Sequence, residues 1–169
     1  AQHELARAEK PTIALIEGVC VGGGCGLAIA CDLRVAAPSA RLGITPARLG
    51  LVYSLHDTKL LVDIVGPSQA KRILFTGKLV EGAEAGRIGL VDIVSADAAA
   101  EAEALAAAIA EASPHSVTST KKIVRRILDG QAEDDAETLA QFNPAFDGED
   151  FDEGVSAFLD KRKARFRPR

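Results

Sequence analysis

Gly22-Gly23-Gly24-Cys25-Gly26 lies where an apolar, β-branched run, Thr12 to Val21, gives way to small residues that suit a helix, Cys25 to Cys31. At such a junction the unhindered N–H groups of the first helical turn can point at an anion or a polarised carbonyl. That geometry can serve as an oxyanion hole. The same glycines also suit plain tight packing of strand on helix. Three rival motifs fail on single residues. A dinucleotide fingerprint counted from Gly22 meets Leu27 at its last glycine, a P-loop needs the absent G-K-[ST], and a nucleophile elbow around Cys25 meets Leu27 again. Cys25 at a helix N-terminus could be activated, but no His is near it in sequence.

Tyr53, the one tyrosine among the 169 residues, is followed by His56 and Asp57, the remaining titratable candidates of that segment. His56 is the side chain there that titrates near neutrality when unperturbed. His3 and His115 have no supporting context in the sequence. At the other end of the chain Lys161, Arg162, Lys163, Arg165, Arg167 and Arg169 crowd together, whereas every charged residue from Glu133 to Glu153 is acidic. The tail reads either as a solvated basic face or as a local phosphate site.

The elements that must carry these groups follow from pattern and punctuation. Thr12 to Val21 reads as a buried strand, Cys25 to Cys31 as a buried helix and Asp32 to Ala37 as a second strand. Together they form a crossover unit of an α/β sheet. Thr45-Pro46 predicts an N-cap with Pro at the first helical position. Helices are expected over Asp57 to Val65 and Pro67 to Phe75, stopped by Gly66 and Gly77. Leu90 to Val94 reads as the last strand. Ala96 to Ala112 is a helix by propensity, and further helices are expected after Ser113-Pro114, after Gly130 and from Phe151 to Lys163. Residues 1–94 thus form an α/β core and 95–169 a helical region of the same folding unit.

A chain of this length buries roughly 70% of its unfolded surface, so a core is available without disulfides or a metal. Aromatics are 4% of the residues and the net charge is −4, which leaves little for base stacking or for a diffuse polyanion. Cys20, Cys25 and Cys31 are odd in number and lack C-x-x-C spacing, as in a reduced, cytoplasmic protein. Glycines interrupt the longest apolar run well before it could span a bilayer.

Several ordered motifs together resemble the crotonase superfamily, the enoyl-CoA hydratase and isomerase relatives. They are Lys10 to Ala14 (K-P-T-I-A), Gly22 to Asp32 (G-G-G-C-G-L-A-I-A-C-D), Leu74 to Gly77 (L-F-T-G), Ala85 to Val91 (A-G-R-I-G-L-V), Glu149 to Gly154 and Phe158 to Phe166. The resemblance implies a crotonase-like β-β-α spiral core with a helical C-terminal trimerisation region and homotrimeric or hexameric assembly. It also implies a CoA thioester whose carbonyl sits between two backbone N–H groups, the second from the position of Gly23. No cofactor is expected beyond the coenzyme A of that substrate, and neither a membrane nor a nucleic acid is expected as partner. Lys161 falls in the motif that in the family lies near the CoA nucleotide.

The departures bear on mechanism. Hydratases of the family carry two glutamates where this chain has Gly26 and Pro46, and the acid of related isomerases falls around Ser54. General acid–base groups contribute about 10²–10⁴-fold, so water addition by the usual route is not expected. Thr45 to Tyr53 (T-P-A-R-L-G-L-V-Y) is similar to the T-P-x-x-L-G-x-x-Y segment of the methylmalonyl-CoA decarboxylase branch, in which the tyrosine lies at the acyl group. The expectation is an acyl-CoA lyase or isomerase that stabilises an enolate, with Gly23 and Tyr53 catalytic. Val21, Gly22, Gly26, Thr45, Pro46, Leu49, His56 and Lys161 are expected to bind substrate. The alternative is a catalytically silent acyl-CoA-binding protein. Because Ala1 already stands well inside the family pattern and the family's first oxyanion donor precedes it, the 169 residues are expected to be the C-terminal portion of a subunit, with the N-terminal part of the fold missing.

Overall fold

The computed structural model describes residues 1–167, so Arg169 of the basic tail lies outside the described residues. The chain divides into two compact units, residues 1–105 and a second that begins at Ala106.

In the first unit the apolar run Thr12 to Val21 is two strands, β1 (Ile13–Ile16) and β2 (Val19–Val21), rather than the single one expected. The break at Glu17-Gly18 lets one run feed two sheets. β1 lies in a parallel sheet of order β1-β3-β6 with β3 (Leu33–Ala36) and β6 (Ile93–Val94). β2 pairs in parallel with β4 (Arg41–Gly43), which pairs antiparallel with β5 (Val80–Glu81). The expected crossover is present: β1 and β3 run in register from Ile13 opposite Leu33 to Ile16 opposite Ala36. Thr12 and Asp32 lock its entrance, the Asp32 carboxylate accepting from the Thr12 N–H at 2.7 Å and from its hydroxyl at 2.9 Å.

Helix α1 (Gln2–Ala6) precedes β1, and α2 (Gly23–Ala30) follows β2. The two expected helices meet at Gly66, whose φ of 72° and ψ of 166° are not helical, ahead of Pro67; together they make up α3 (Leu55–Thr76), stopped by Gly77. Ser54 caps it, its hydroxyl accepting from the Asp57 N–H at 3.1 Å. Thr45-Pro46 opens a 3-10 turn, Pro46–Leu49, not an α-helix, and the Thr45 side chain caps nothing. The expected strand at Leu90 shrinks to β6 because Leu90 and Val91 turn back onto α4 (Gly82–Arg87), donating to the Ala85 carbonyl.

Leu42, Ile44, Leu61, Ile73, Leu90 and Val91 are fully buried between these layers. Each contributes about 1.5–3 kcal/mol. The buried charge here is Arg34, whose guanidinium meets the Asp92 carboxylate at 2.8 Å and the Cys31 carbonyl at 2.9 Å. The same carboxylate accepts from the Arg34 N–H at 2.7 Å, tying β3 to the approach of β6.

The second unit holds the end of α5 (Ala98–Glu111), then α6 (Pro114–Leu128), α7 (Ala136–Phe142), a 3-10 turn and α8 (Glu149–Leu159). Ser113 caps α6 and donates to Asp150 at 2.6 Å. α8 stops at Leu159, short of the Lys163 expected from the pattern, so residues 161–167 are not helical. All strands among the described residues lie within 1–94.

Removing one partner of a buried pair leaves an unpaired charge, which typically costs about 3–5 kcal/mol. Asp92 is partly exposed, so Asp92→Ala is expected at the lower end, about 3 kcal/mol, read as a shift in urea midpoint with unchanged m-value.

Candidate functional site

β2 ends at Val21 and α2 starts at Gly23, with only Gly22 between them, at φ 58° and ψ −120°. That left-handed φ favours glycine. The Gly22 N–H donates to the Gly43 carbonyl at 2.9 Å, so it is spent on the sheet. Gly23 and Gly24 are exposed, with open space where side chains would stand. As first-turn residues they have N–H groups without an intrahelical acceptor. Val21 and Gly22 are half-buried beside them.

Gly26, one turn further, is buried. A Cβ there would collide with the Gln2 amide and stand 2.8 Å from the Tyr53 hydroxyl oxygen. The space a side chain at position 26 would take is therefore filled by groups from elsewhere in the chain. Tyr53 packs against the core, and its hydroxyl oxygen is buried without a hydrogen bond of ordinary geometry. Burial pushes the phenol up from its usual range, and the nearby Asp57 charge adds to this, so the group stays a neutral O–H at pH 7. Gln2, oriented by its hydrogen bonds, turns its amide nitrogen to the Asp57 carboxylate, 3.1 Å to Oδ2 and closer to Oδ1.

His56 Nε2 is also buried and unpartnered. Its ring lies 5.3 Å from that of His3, whose own Nε2 accepts from Arg7 Nε at 3.1 Å. His3, without context in the sequence, thus stands against His56. Gln2 and His3 escape sequence reasoning because a five-residue helix has no readable period and lies far from Gly26 along the chain. Thr45 and Pro46 are half-buried at the start of the 3-10 turn, and Leu49 at its end is 72% exposed.

Cys25 is buried, and its thiol is pushed far above the usual range by a hydrogen bond to Cys20 and by burial. A neutral thiol, 1% exposed, is no nucleophile. None of the three cysteines is in a disulfide. Among the described residues no cluster of His, Cys, Asp or Glu could hold a metal ion, and no helix is long and apolar enough to cross a membrane.

In the second unit Lys161 is exposed and left-handed at φ 52°, the one such non-glycine among the described residues. It occupies the position after α8 where glycine is usual, its N–H donating to the Phe158 carbonyl. Its neighbours are engaged. Arg162 holds Glu153 through two contacts of 2.7 and 2.9 Å, and these, with the Arg165 N–H, bring the Glu153 carboxyl down to about 2. Lys163 pairs with Glu111. His115 lies on the wall of a cavity of about 400 Å³ that Phe146, Phe151, Phe158 and Phe166 also line.

The chain matches the family model for enoyl-CoA hydratase/isomerase over residues 1–169. It belongs to that family. A Bacillus subtilis protein named "Probable enoyl-CoA hydratase" is 38% identical over 162 residues, 94% of this chain and 63% of its own length. The crotonyl-CoA hydratase of Syntrophomonas wolfei is 35% identical over 161 residues, 94% of this chain and 62% of its own. A crystal structure of an enoyl-CoA hydratase/isomerase family protein from Hyphomonas neptunium superposes with a TM-score of 0.95 at 45% identity, covering all of this chain and 65% of that one. The fold is the crotonase fold. The chain spans just under two thirds of the length of these relatives.

Iodoacetamide at pH 8 is expected to label Cys20 on the folded protein and to leave Cys25 unmodified until denaturant is added, as read by peptide mass spectrometry. Labelling of native Cys25 at the rate of a free thiol would contradict its burial.

Proposed function

We propose that this protein acts on an acyl-CoA thioester by stabilising an enolate, with the Gly23 N–H as one oxyanion donor and the Tyr53 hydroxyl as a polar guide at the acyl group. The observation that carries this reading is the pairing of an exposed glycine turn at the start of α2 with a buried phenol that stands beside Gly26, one helical turn further on. Oxyanion donors preorganised in this way are worth about 2.7–4 kcal/mol each.

The reaction that fits is a decarboxylation of a carboxylated acyl-CoA, a lyase step. The carbon–carbon bond to the carboxylate breaks, its electron pair moves onto the thioester carbonyl as the enolate, and carbon dioxide leaves. A proton from water then completes the α-carbon. No strong base is required, in keeping with Gly26 and Pro46 at the glutamate positions and Ser54 serving as a helix cap. Their absence also removes like-charge repulsion against an anionic acyl group, about 4 kcal/mol for charges 4 Å apart at an effective dielectric of 20. Val21, Gly22, Thr45, Pro46, Leu49 and His56 are proposed to line the acyl site, and Lys161 to meet the CoA phosphates. A homotrimer or hexamer in the cytoplasm, with coenzyme A entering as part of the substrate, completes the proposal. The same lack of carboxylates supports a second reading, binding of acyl-CoA without turnover.

Incubated with methylmalonyl-CoA, the complete protein is expected to release carbon dioxide, and Tyr53→Phe to lower the rate by about 10²-fold or more. Crotonyl-CoA should remain unhydrated. Binding of both thioesters with consumption of neither would favour the silent reading, and rapid hydration of crotonyl-CoA would overturn the inference from Gly26 and Pro46.

Lys161→Gly relieves a left-handed Cβ, so it is expected to stabilise the protein by about 1 kcal/mol while weakening acyl-CoA binding. Thermal unfolding and calorimetric titration with the thioester check the two effects separately.

A further inference from the structure

We infer that Gln2 is a positioning residue for Tyr53: its amide occupies the space that Gly26 leaves without a side chain and links the tyrosine to the Asp57 carboxylate. The inference rests on Tyr53 being the polar group of the acyl site. Three contacts of α1 converge on this point. The Gln2 amide stands where a Gly26 side chain would be, beside the Tyr53 hydroxyl. Its nitrogen donates to Asp57 in the first turn of α3. The next residue, His3, lies against His56 and is held from behind by Arg7.

The chemistry follows from the amide's two ends. With the nitrogen committed to Asp57, the carbonyl end is the one left toward the phenol, where it favours a protonated hydroxyl. An amide nitrogen at that place would instead pull the phenol down. Gln2 also keeps water from the hydroxyl. A side chain at position 26 and the Gln2 amide exclude one another, so α1 fills with a neutral amide the space that a side chain at this position would fill from α2. The charged and titratable groups acting on Tyr53 are Asp57 from α3 and Cys25 from α2; on the neighbouring elements His56 of α3 meets His3 of α1, which accepts from Arg7 just past the end of that helix. Cys25 stays neutral, so Asp57 is the nearby charge that bears on the phenol.

The test follows the ionisation of Tyr53 in the complete protein by the 13Cζ resonance of labelled tyrosine, assigned by its loss in Tyr53→Phe. The wild-type midpoint is expected above the ordinary tyrosine value. Gln2→Ala should bring it down toward that value by admitting water and removing the acceptor. Gln2→Glu, of the same size, should move it further up by placing a second carboxylate beside the phenol. Asp57→Asn should lower it, and the Gln2→Ala/Asp57→Asn double variant should shift it by less than the two single shifts together. Gln2→Ala and Gln2→Glu both titrating like wild type would overturn the assignment, as would strictly additive shifts in the double variant. The readout is independent of turnover. Tyr53-dependent decarboxylation with unresponsive Gln2 variants removes the Gln2 assignment alone, whereas the stated shifts in a protein that binds no acyl-CoA remove the acyl-site reading alone.

Discussion

β2 passes into α2 through Gly22 alone, and the first unit is arranged around that reversal. With no loop to absorb the change of direction, the backbone takes a left-handed φ and spends the Gly22 N–H on β4. α2 is then held against the second sheet while its first N–H groups face outward. The return strand β3 lands in register beside β1, pinned by Thr12 and Asp32. A side chain at Gly22 would strain this turn, whereas Gly23 and Gly24 leave open space at its mouth. The same turn that lets strand and helix pack closely therefore creates the feature able to polarise a carbonyl.

Close packing of α2 has a second consequence one turn on. Position 26 is buried between α1 and the segment leading into α3, and what fills it decides the chemistry available there. Here the space holds an amide and a phenol, both neutral at pH 7, and the nearby carboxylate, Asp57, is engaged by the amide. A neutral donor beside an oxyanion turn suits the stabilisation of negative charge that develops on a thioester. It does not suit the removal of a proton from water.

The basic tail shows how a sequence pattern can mislead about free charge. Arg162, Lys163 and Arg167 lie near carboxylates of the acidic segment or of α5, and the pairing of Arg162 with Glu153 holds the tail against the end of α8. Exposed pairs of this kind contribute little stability. Lys161 differs in backbone and in company, holding a left-handed conformation without an ion pair among the described residues. Such a conformation ends α8 at the position where glycine is usual.

The crossover, the glycine turn, the breaks at Gly66 and Gly77, and the helix start after Ser113-Pro114 were legible in the sequence, because each depends on local pattern or on a residue with restricted or expanded φ/ψ. So was the family, carried by motifs spread over the chain. The division of Thr12 to Val21 between two sheets was not legible, nor were β4, β5 and α4, since strands of two or three residues show no alternation and α4 contains two glycines. The convergence of Gln2, His3, Tyr53, His56 and Asp57 was decided by tertiary structure alone. No spacing rule connects residue 2 to residue 26. They meet because α1 packs on α2, and a missing side chain becomes a site only when the neighbours that enter its space are known.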